Sequence, residues 1–430
     1  MLNKNEYWSL VNRFIGLLGN AFILIIIAKL LISQEVALWY LFVAIFGVVG
    51  VIEGGITQTI SRHITYISNG NTDHKGIDLN DFISVSSKYF HRIVLLIALL
   101  TLTLGSIYLI ILGYFDNGKS YSIYWLLYIA GSCLSLMANL YASIAMGFQK
   151  VAHIQKNQII ATTFNVGFVV VLLLLVSWKS IGGIILGFLL SQTLLLILNY
   201  SLATKLFAQK NTQSNEKKIV SIAINDTKKM FLNMLSYKLL TSVFFMLLAS
   251  FTSVDVLASY GMTVQAFTYI SVFSIIFLTS NFPEFARLYS EQKYFLLKKI
   301  FLKKSAISLL VYLLFLIIFI ISFSYFQRWF GLNIHILPNE ILICFVLFSL
   351  IEYIISIIGN ILLACNELRL MALSFLCAVI VLTSTYFLFY LGFGLQEVFV
   401  IRGLIDVVFI LVPALIILKT LNAKMEHGRC

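Results

Sequence analysis

The sequence predicts an all-α integral membrane protein: twelve transmembrane helices in two six-helix bundles related by a parallel repeat. Three observations carry this. Of the 430 residues, 60% are hydrophobic and only 11% are charged, with three prolines. A soluble chain of this size could not cover so much apolar surface with so few charges. The apolar residues fall into twelve runs, approximately 8–31, 35–60, 89–114, 121–147, 157–177, 181–203, 229–251, 255–281, 302–325, 339–364, 370–391 and 396–418. Each is long enough to cross a hydrocarbon core of ~30 Å as a helix, and none alternates as barrel strands do. Finally, the pattern of Ser33-Gln34-Glu35-Val36 through Tyr40 returns at Ser253-Val254-Asp255-Val256 through Tyr260, near half the chain length later. A repeat of that period decides the architecture.

The first span follows Lys4 without a small-residue cleavage site, so it reads as a retained span and not a cleaved signal peptide. Arg13, Gly16 and Asn20 share one of its faces at i, i+3, i+7. The second span carries Gly50, Glu53 and Thr57 at the same spacing, a small, polar face suited to a wet cavity. It leaves the membrane through Ser61-Arg62-His63, and its echo in the second half leaves through EFARLYS. The glycines Gly47, Gly50, Gly54 and Gly55 read as close helix packing, with a hinge as the alternative. In the fourth span Ser132, Ser135, Asn139 and Ala142 form a polar or small stripe; in the tenth Ser349, Glu352, Ser356 and Gly359 do the same, each 217 positions later. The stretch 205–228 has the composition of a solvated linker, dividing a bundle at 1–204 from one at 229–430. Trp8, Trp39, Trp125 and Trp178 lie near span ends, as interface anchors do.

Charge sets the topology. Twenty-three of the 30 Lys and Arg lie in the terminal segments and the loops after even-numbered spans. Four (Lys29, Lys119, Lys179, Arg328) lie on the other side, and Arg13, Lys238 and Arg402 lie within spans. Both termini are therefore expected in the cytoplasm, and each half runs inside to inside, as parallel repeats do. The net charge of +12 is read as topology and not as nucleic-acid binding. The five cysteines have no metal spacing and imply no disulfide framework. The chain has no G-K-[ST] phosphate loop, H-E-x-x-H or G-x-S-x-G, so no enzyme and no self-sufficient ATP-driven pump is indicated.

Six charges at bilayer depth need a reason, since each costs at least ~2.5–3.5 kcal/mol to insert. Arg13 is either a cavity contact for an anionic head group or an arginine snorkelling to the inner interface. Lys238 lies about nine residues, or ~14 Å, into its span, which favours a cavity over snorkelling. Arg402 and Asp406 are four apart on the last span: a structural bridge, or one that opens when Asp406 is protonated or Arg402 takes an anion. Pro413 should kink that helix. Glu53 and Glu352 have no partner on their own helices, and are candidates for ion coupling or for neutral hydrogen bonds between helices.

The N-R-x-x-G-L-L-G-N run at Asn12–Asn20, the G-G-I-T-Q-T-I-S-R-H-I-T-Y run at Gly54–Tyr66 and the G-F-Q-K at Gly147–Lys150 resemble bacterial O-antigen flippases of the polysaccharide transporter family. The twelve spans with both ends inside fit the same family. The resemblance implies two bundles around a central V-shaped cavity. It also implies a substrate, an undecaprenyl-pyrophosphate-linked oligosaccharide moved from the inner to the outer leaflet of the bacterial inner membrane. Such a cavity would hold the pyrophosphate on Arg13, Lys238 and Arg402, meet sugars with Asn20 and Asn139, and couple to protons, or to sodium, through Glu53, Asp406 or Glu352. No cofactor is expected; the partners are the lipid-linked oligosaccharide, membrane lipids and other polysaccharide-assembly membrane proteins. A multidrug or cation antiporter on the same fold is the first rival, a polysaccharide polymerase the second and a non-transporting scaffold the third.

Overall fold

The second span shows how this chain makes and breaks helices. It runs as α2 (Ser33–Val49), tightens into a 3-10 turn over Gly50–Glu53, and restarts as α3 (Ile56–Ser68). Between them Gly54 and Gly55 have φ of 52° and 84°, the left-handed region that a Cβ disfavours. Glu53 then accepts hydrogen bonds from the backbone N–H (3.1 Å) and Oγ1 (2.6 Å) of Thr57, so its carboxylate holds the free N-terminus of α3. The expected continuous face of Gly50, Glu53 and Thr57 is not formed. The two left-handed glycines break the helix there, as a hinge needs and a continuous packed helix does not.

The structure, a computed structural model, describes residues 4–68, 79–115, 121–175, 180–206, 231–232, 234–279, 281–330, 336–365 and 370–426. Among them twelve helical spans are long and apolar enough to cross a membrane, and there is no strand. Exposed apolar side chains such as Ile111, Leu310 and Phe387 form the surface that a bilayer would cover. The protein is a multi-pass, all-α integral membrane protein. The linker expected at 205–228 lies outside the described residues from 207 onward.

The chain divides into two compact units, Met1–Lys238 and Leu239–Cys430. In the first, α1 (Lys4–Leu30) is followed by α2 and α3. Then come α4 (Leu79–Leu100), a π-helical turn (Thr101–Gly105) and α5 (Ser106–Ile111). The unit closes with α6 (Tyr121–Gly147), α7 (Val151–Val170) with a second π-turn (Val171–Leu175), and α8 (Ile181–Thr204). Two groups of side chains dominate its core. Ile60 and Ile64 of α3 pack with Phe82, Ile83 and Phe90 of α4 and Leu140 and Ile144 of α6. An aromatic stack joins Trp39, Phe42, Trp125, Tyr128 and Phe188. Trp125 is thus no interface anchor: it is 1% exposed, and its Nε1 donates to Ser106 Oγ at 3.1 Å. Trp39 also packs inward, Trp8 lies under the Lys156 ammonium, and Trp178 is outside the described residues.

The G-F-Q-K and G-G-I-T-Q-T-I motifs meet. A Cβ on Gly147 would come within 2.6 Å of Ile64 and 2.9 Å of the Ser61 carbonyl, so only glycine lets α6 approach α3 this closely. Thr65 Oγ1 donates to the Gly147 carbonyl at 3.1 Å. Gln149, at φ 60°, then ends α6 in a left-handed cap.

In the second unit a π-turn (Leu239–Val243) leads into α9 (Phe244–Phe251), followed by α10 (Val254–Thr279) and α11 (Phe282–Ser290). After these come α12 (Tyr294–Phe330), α13 (Asn339–Ala364) and α14 (Leu370–Tyr390). The last span is α15 (Leu395–Asp406), a π-turn (Val407–Leu411) and α16 (Val412–Glu426). The α10–α11 pair also breaks, but after Thr279, several residues beyond the point that the Ser33–Ser253 offset pairs with Gly54. Here a proline marks the restart: Pro283 lies in the first turn of α11, where a missing N–H costs the helix nothing. Just before Pro413, where a kink is expected, the helix forms a π-turn. Proline has no N–H to return to the preceding turn, so the helix there widens. Part of the tenth-span stripe is structural: Ser349 Oγ accepts from Tyr312 (3.2 Å), and Tyr353 hydrogen-bonds Ser308 (2.6 Å).

Candidate functional site

Two polar centres stand out, one in each unit. The first follows from amide side chains on the α7 face Gln155, Gln158, Thr162, Asn165, whose spacing of three and four keeps them on one side of the helix. Opposite, α1 presents Asn12, Arg13, Gly16 and Asn20, and α8 presents Phe188, Ser191 and Gln192. Together they line a cavity of about 420 Å³. The helices meet closely beside it: a Cβ on Gly19 would reach Val166 Cγ2 at 2.9 Å, whereas one on Gly16 would meet nothing within 4 Å. Gly19 seals α1 onto α7, and Gly16 leaves the room.

The Asn12 amide nitrogen donates to both Gln155 Oε1 and Gln158 Oε1, each at 2.6 Å. Deeper, Asn157 donates to Asn199 Oδ1 (2.9 Å), and Asn199 donates to the Ala138 carbonyl (3.2 Å). Two carbonyl oxygens on cavity-lining side chains, Asn165 Oδ1 and Gln192 Oε1, are buried without a hydrogen-bond donor among the described residues. A buried acceptor left so costs about 1–3 kcal/mol. Among the described residues, the cavity lining has one cation and no carboxylate.

The second centre is built on α13 and α15. Arg402 is 3% exposed, its Nη2 lies 2.9 Å from Glu352 Oε1, and its guanidinium carbon sits 4.3 Å from the ring centres of both Phe244 and Phe348. The rings hold the planar group between their faces. The expected i, i+4 bridge to Asp406 is therefore not what forms. The slot between the rings turns the guanidinium to α13, and Asp406, 2% exposed, accepts instead from Cys377 Sγ at 3.3 Å. Asp406 Oδ2 has no hydrogen-bond partner among the described residues. One cation and two carboxylates thus share a centre in which Arg402 and Asp406 are buried and Glu352 is partly open. Glu352, unpartnered on its own helix, finds its partner one helix away.

The remaining sequence candidates lie elsewhere. Glu53 caps α3. Asn139 is exposed on α6 and does not line the cavity. Lys238 is half-buried beside the Tyr237 ring, 5.7 Å from its centre, one residue before the π-turn at Leu239–Val243. Arg13 and Asn20 are brought together; Arg402, Glu352 and Asp406 are brought together; Lys238, Asn139 and Glu53 join neither set. Sequence reasoning missed Gln155, Gln158, Asn165 and Gln192. Helical spacing in α7 was the signal that marks three of them.

The architecture defines a class: a polytopic helical membrane protein with the fold of transporters of the MOP superfamily. No family model and no curated protein matches the sequence. Among solved structures, the chain is similar to an inward-facing multidrug resistance MATE family transporter of that superfamily, with TM-score 0.75, 13% identity and 96% of each chain covered. It is similar to the lipid II flippase MurJ in an inward closed conformation, with TM-score 0.63, 14% identity, and 99% of this chain and 90% of that one covered. It is also similar to a MOP superfamily transporter from Pyrococcus furiosus described as having a binding pocket of reversed polarity, with TM-score 0.59, 14% identity, and 99% and 97% covered. At these identities the likeness shows the fold.

Proposed function

We propose that this protein is a flippase that moves an undecaprenyl-pyrophosphate-linked oligosaccharide from the inner to the outer leaflet of a bacterial inner membrane by alternating access. The observation that carries this reading is the first cavity: amide-rich, bearing Arg13, and lined by no carboxylate among the described residues. A sugar–pyrophosphate head cannot cross hydrocarbon unaided, because its polar groups would lose their hydrogen bonds. Amides replace water for the sugar, and a guanidinium makes charge-assisted contacts with phosphate. A carrier of cationic drugs needs the opposite sign. The sign of this cavity disfavours the multidrug antiporter, which shares the fold.

In this reading Arg13 and Asn20 meet the head group, and Lys238 is a second cation for the pyrophosphate. Arg402 is engaged with Glu352 and two rings, which suits it to the coupling centre with Glu352 and Asp406. Protonation or sodium binding there would change the charge around a fixed guanidinium. The basic-residue bias supports cytoplasmic termini.

The test is replacement of Arg13, Lys238 and Asp406, singly by alanine, alanine and asparagine, in cells that need the protein for surface polysaccharide. Loss of polymer with single lipid-linked units trapped on the inner leaflet is expected for Arg13→Ala. Wild-type polysaccharide in all three variants refutes the reading. Units displayed outside but unpolymerised would mark a polymerase.

A further inference from the structure

The first cavity holds chemistry that a pyrophosphate cannot use. Asn165 Oδ1 and Gln192 Oε1 are acceptors that lack donors among the described residues, and a pyrophosphate brings only further acceptors. An isoprenoid tail brings neither. Gln158 faces its carbonyl to Asn12, so its own amide nitrogen remains a donor. A group that both donates and accepts at several closely spaced points satisfies both kinds of amide, and the hydroxyls of a sugar ring do this. Phe188 supplies an apolar wall for the ring's C–H face.

Size limits the occupant. The cavity of about 420 Å³ has room for about 14 waters at ~30 Å³ each, enough for one hexose together with the phosphates it is bonded to and too little for a whole oligosaccharide. Arg13 lines the same cavity. A ring seated against Asn165 and Gln192 with its phosphate on Arg13 is therefore the sugar bonded directly to the pyrophosphate.

We infer that the recess formed by Asn165, Gln192, Gln158 and Phe188 is a subsite that reads this first, uncharged sugar ring, with Gly16 keeping it open. The inference rests on the flippase reading and assigns that activity its specificity-determining residues. Gln192→Leu removes the orphan acceptor at nearly constant volume. Gly16→Leu adds apolar bulk to the cavity from a position where a Cβ meets nothing within 4 Å.

The experiment measures binding to the purified full-length protein in detergent. Its probes are farnesyl pyrophosphate and the same lipid carrying one glucose, one galactose or one N-acetylglucosamine. The wild type is expected to bind at least one conjugate tenfold or more tighter than the bare pyrophosphate. Gln192→Leu and Gly16→Leu each reduce that ratio to below threefold, and a wild-type melting curve for each shows that the variants fold. Arg13→Ala weakens every probe and preserves the ratio. If bare and conjugated probes bind the wild type equally, or both leucine variants keep the full ratio, the subsite is refuted and the flippase reading stands. If no probe binds the wild type, the flippase reading falls and the subsite with it.

Discussion

Removing Glu352 would take from the buried Arg402 guanidinium the carboxylate that it hydrogen-bonds, leaving Asp406 as the remaining acid of the centre. Arg402 is 3% exposed, while the Glu352 side chain is 43% exposed and lies 2.9 Å away. Deleting one partner of a buried pair costs about 3–5 kcal/mol. Glu352 is partly open and the two ring faces remain, so Glu352→Ala falls at the lower end, about 3 kcal/mol. The unit that holds the pair has 192 residues, from 239 to 430 inclusive. At about 2–4 °C per kcal/mol for that size, melting drops by about 6–12 °C. Glu352→Gln keeps an acceptor for Nη2 and loses roughly half as much. The double variant Arg402→Met/Glu352→Leu recovers part of the loss, because apolar side chains replace the pair at little cost while buried Asp406, left without a cation, is held as the neutral acid. Cys377 is fully buried beside Asp406, so the rate at which a thiol-reactive dye labels it on heating reports opening of this centre. An unchanged melting temperature for Glu352→Ala, or a double variant no more stable than the single one, would refute the reasoning.

Three further outcomes follow from local geometry. Gly55→Ala, at a φ of 84°, should cost about 1–2 kcal/mol from left-handed strain, read as a lower melting temperature; an unshifted one would show the break is not strained. Gly147→Val should destabilise by about 1–3 kcal/mol through the contacts with Ile64 and the Ser61 carbonyl, whereas Gly16→Ala should be neutral or slightly stabilising; equal effects at both positions would contradict the packing. Glu291 lies outside the spans, and the hydrogen bond from Lys293 holds its carboxyl below the usual 4.5. Its pairing therefore persists above the ordinary glutamate range and is lost as pH falls through the lowered value, and Lys293→Ala should move its titration, followed by carboxyl NMR, back toward the ordinary value, with Arg287 still in place.

The spans were legible because burial in lipid demands long apolar runs, and nothing else in the chain competes with that signal. The repeat was legible for the same reason, through Ser132 and Ser349 at one offset. The break at Gly54–Gly55 was readable only as an alternative, since helical glycines serve close packing as readily; only φ decides between them. The partner of Arg402 was not legible. Sequence spacing offers Asp406 on the same helix, but the choice of Glu352 depends on Phe244 and Phe348, which come from two other helices. The amide cavity went unread because neutral amides at bilayer depth lack the insertion penalty that drew attention to the charges. Gln155, Gln158 and Asn165 share a face that the periodicity applied to Arg13, Gly16 and Asn20 would equally have found.

The wide turns carry a consequence for movement. Each π-turn is a surplus residue lodged in a helix, and such a surplus travels along the axis as hydrogen bonds are exchanged one at a time, rotating everything beyond it. Proline fixes the turn at Val407–Leu411, because Pro413 cannot supply the bond that would let it pass. The turns at Thr101–Gly105 and Leu239–Val243 have no such pin in the residues that follow. Lys238, one position before the second of these, sits where a small slip of register would swing an ammonium from one face of its helix toward another.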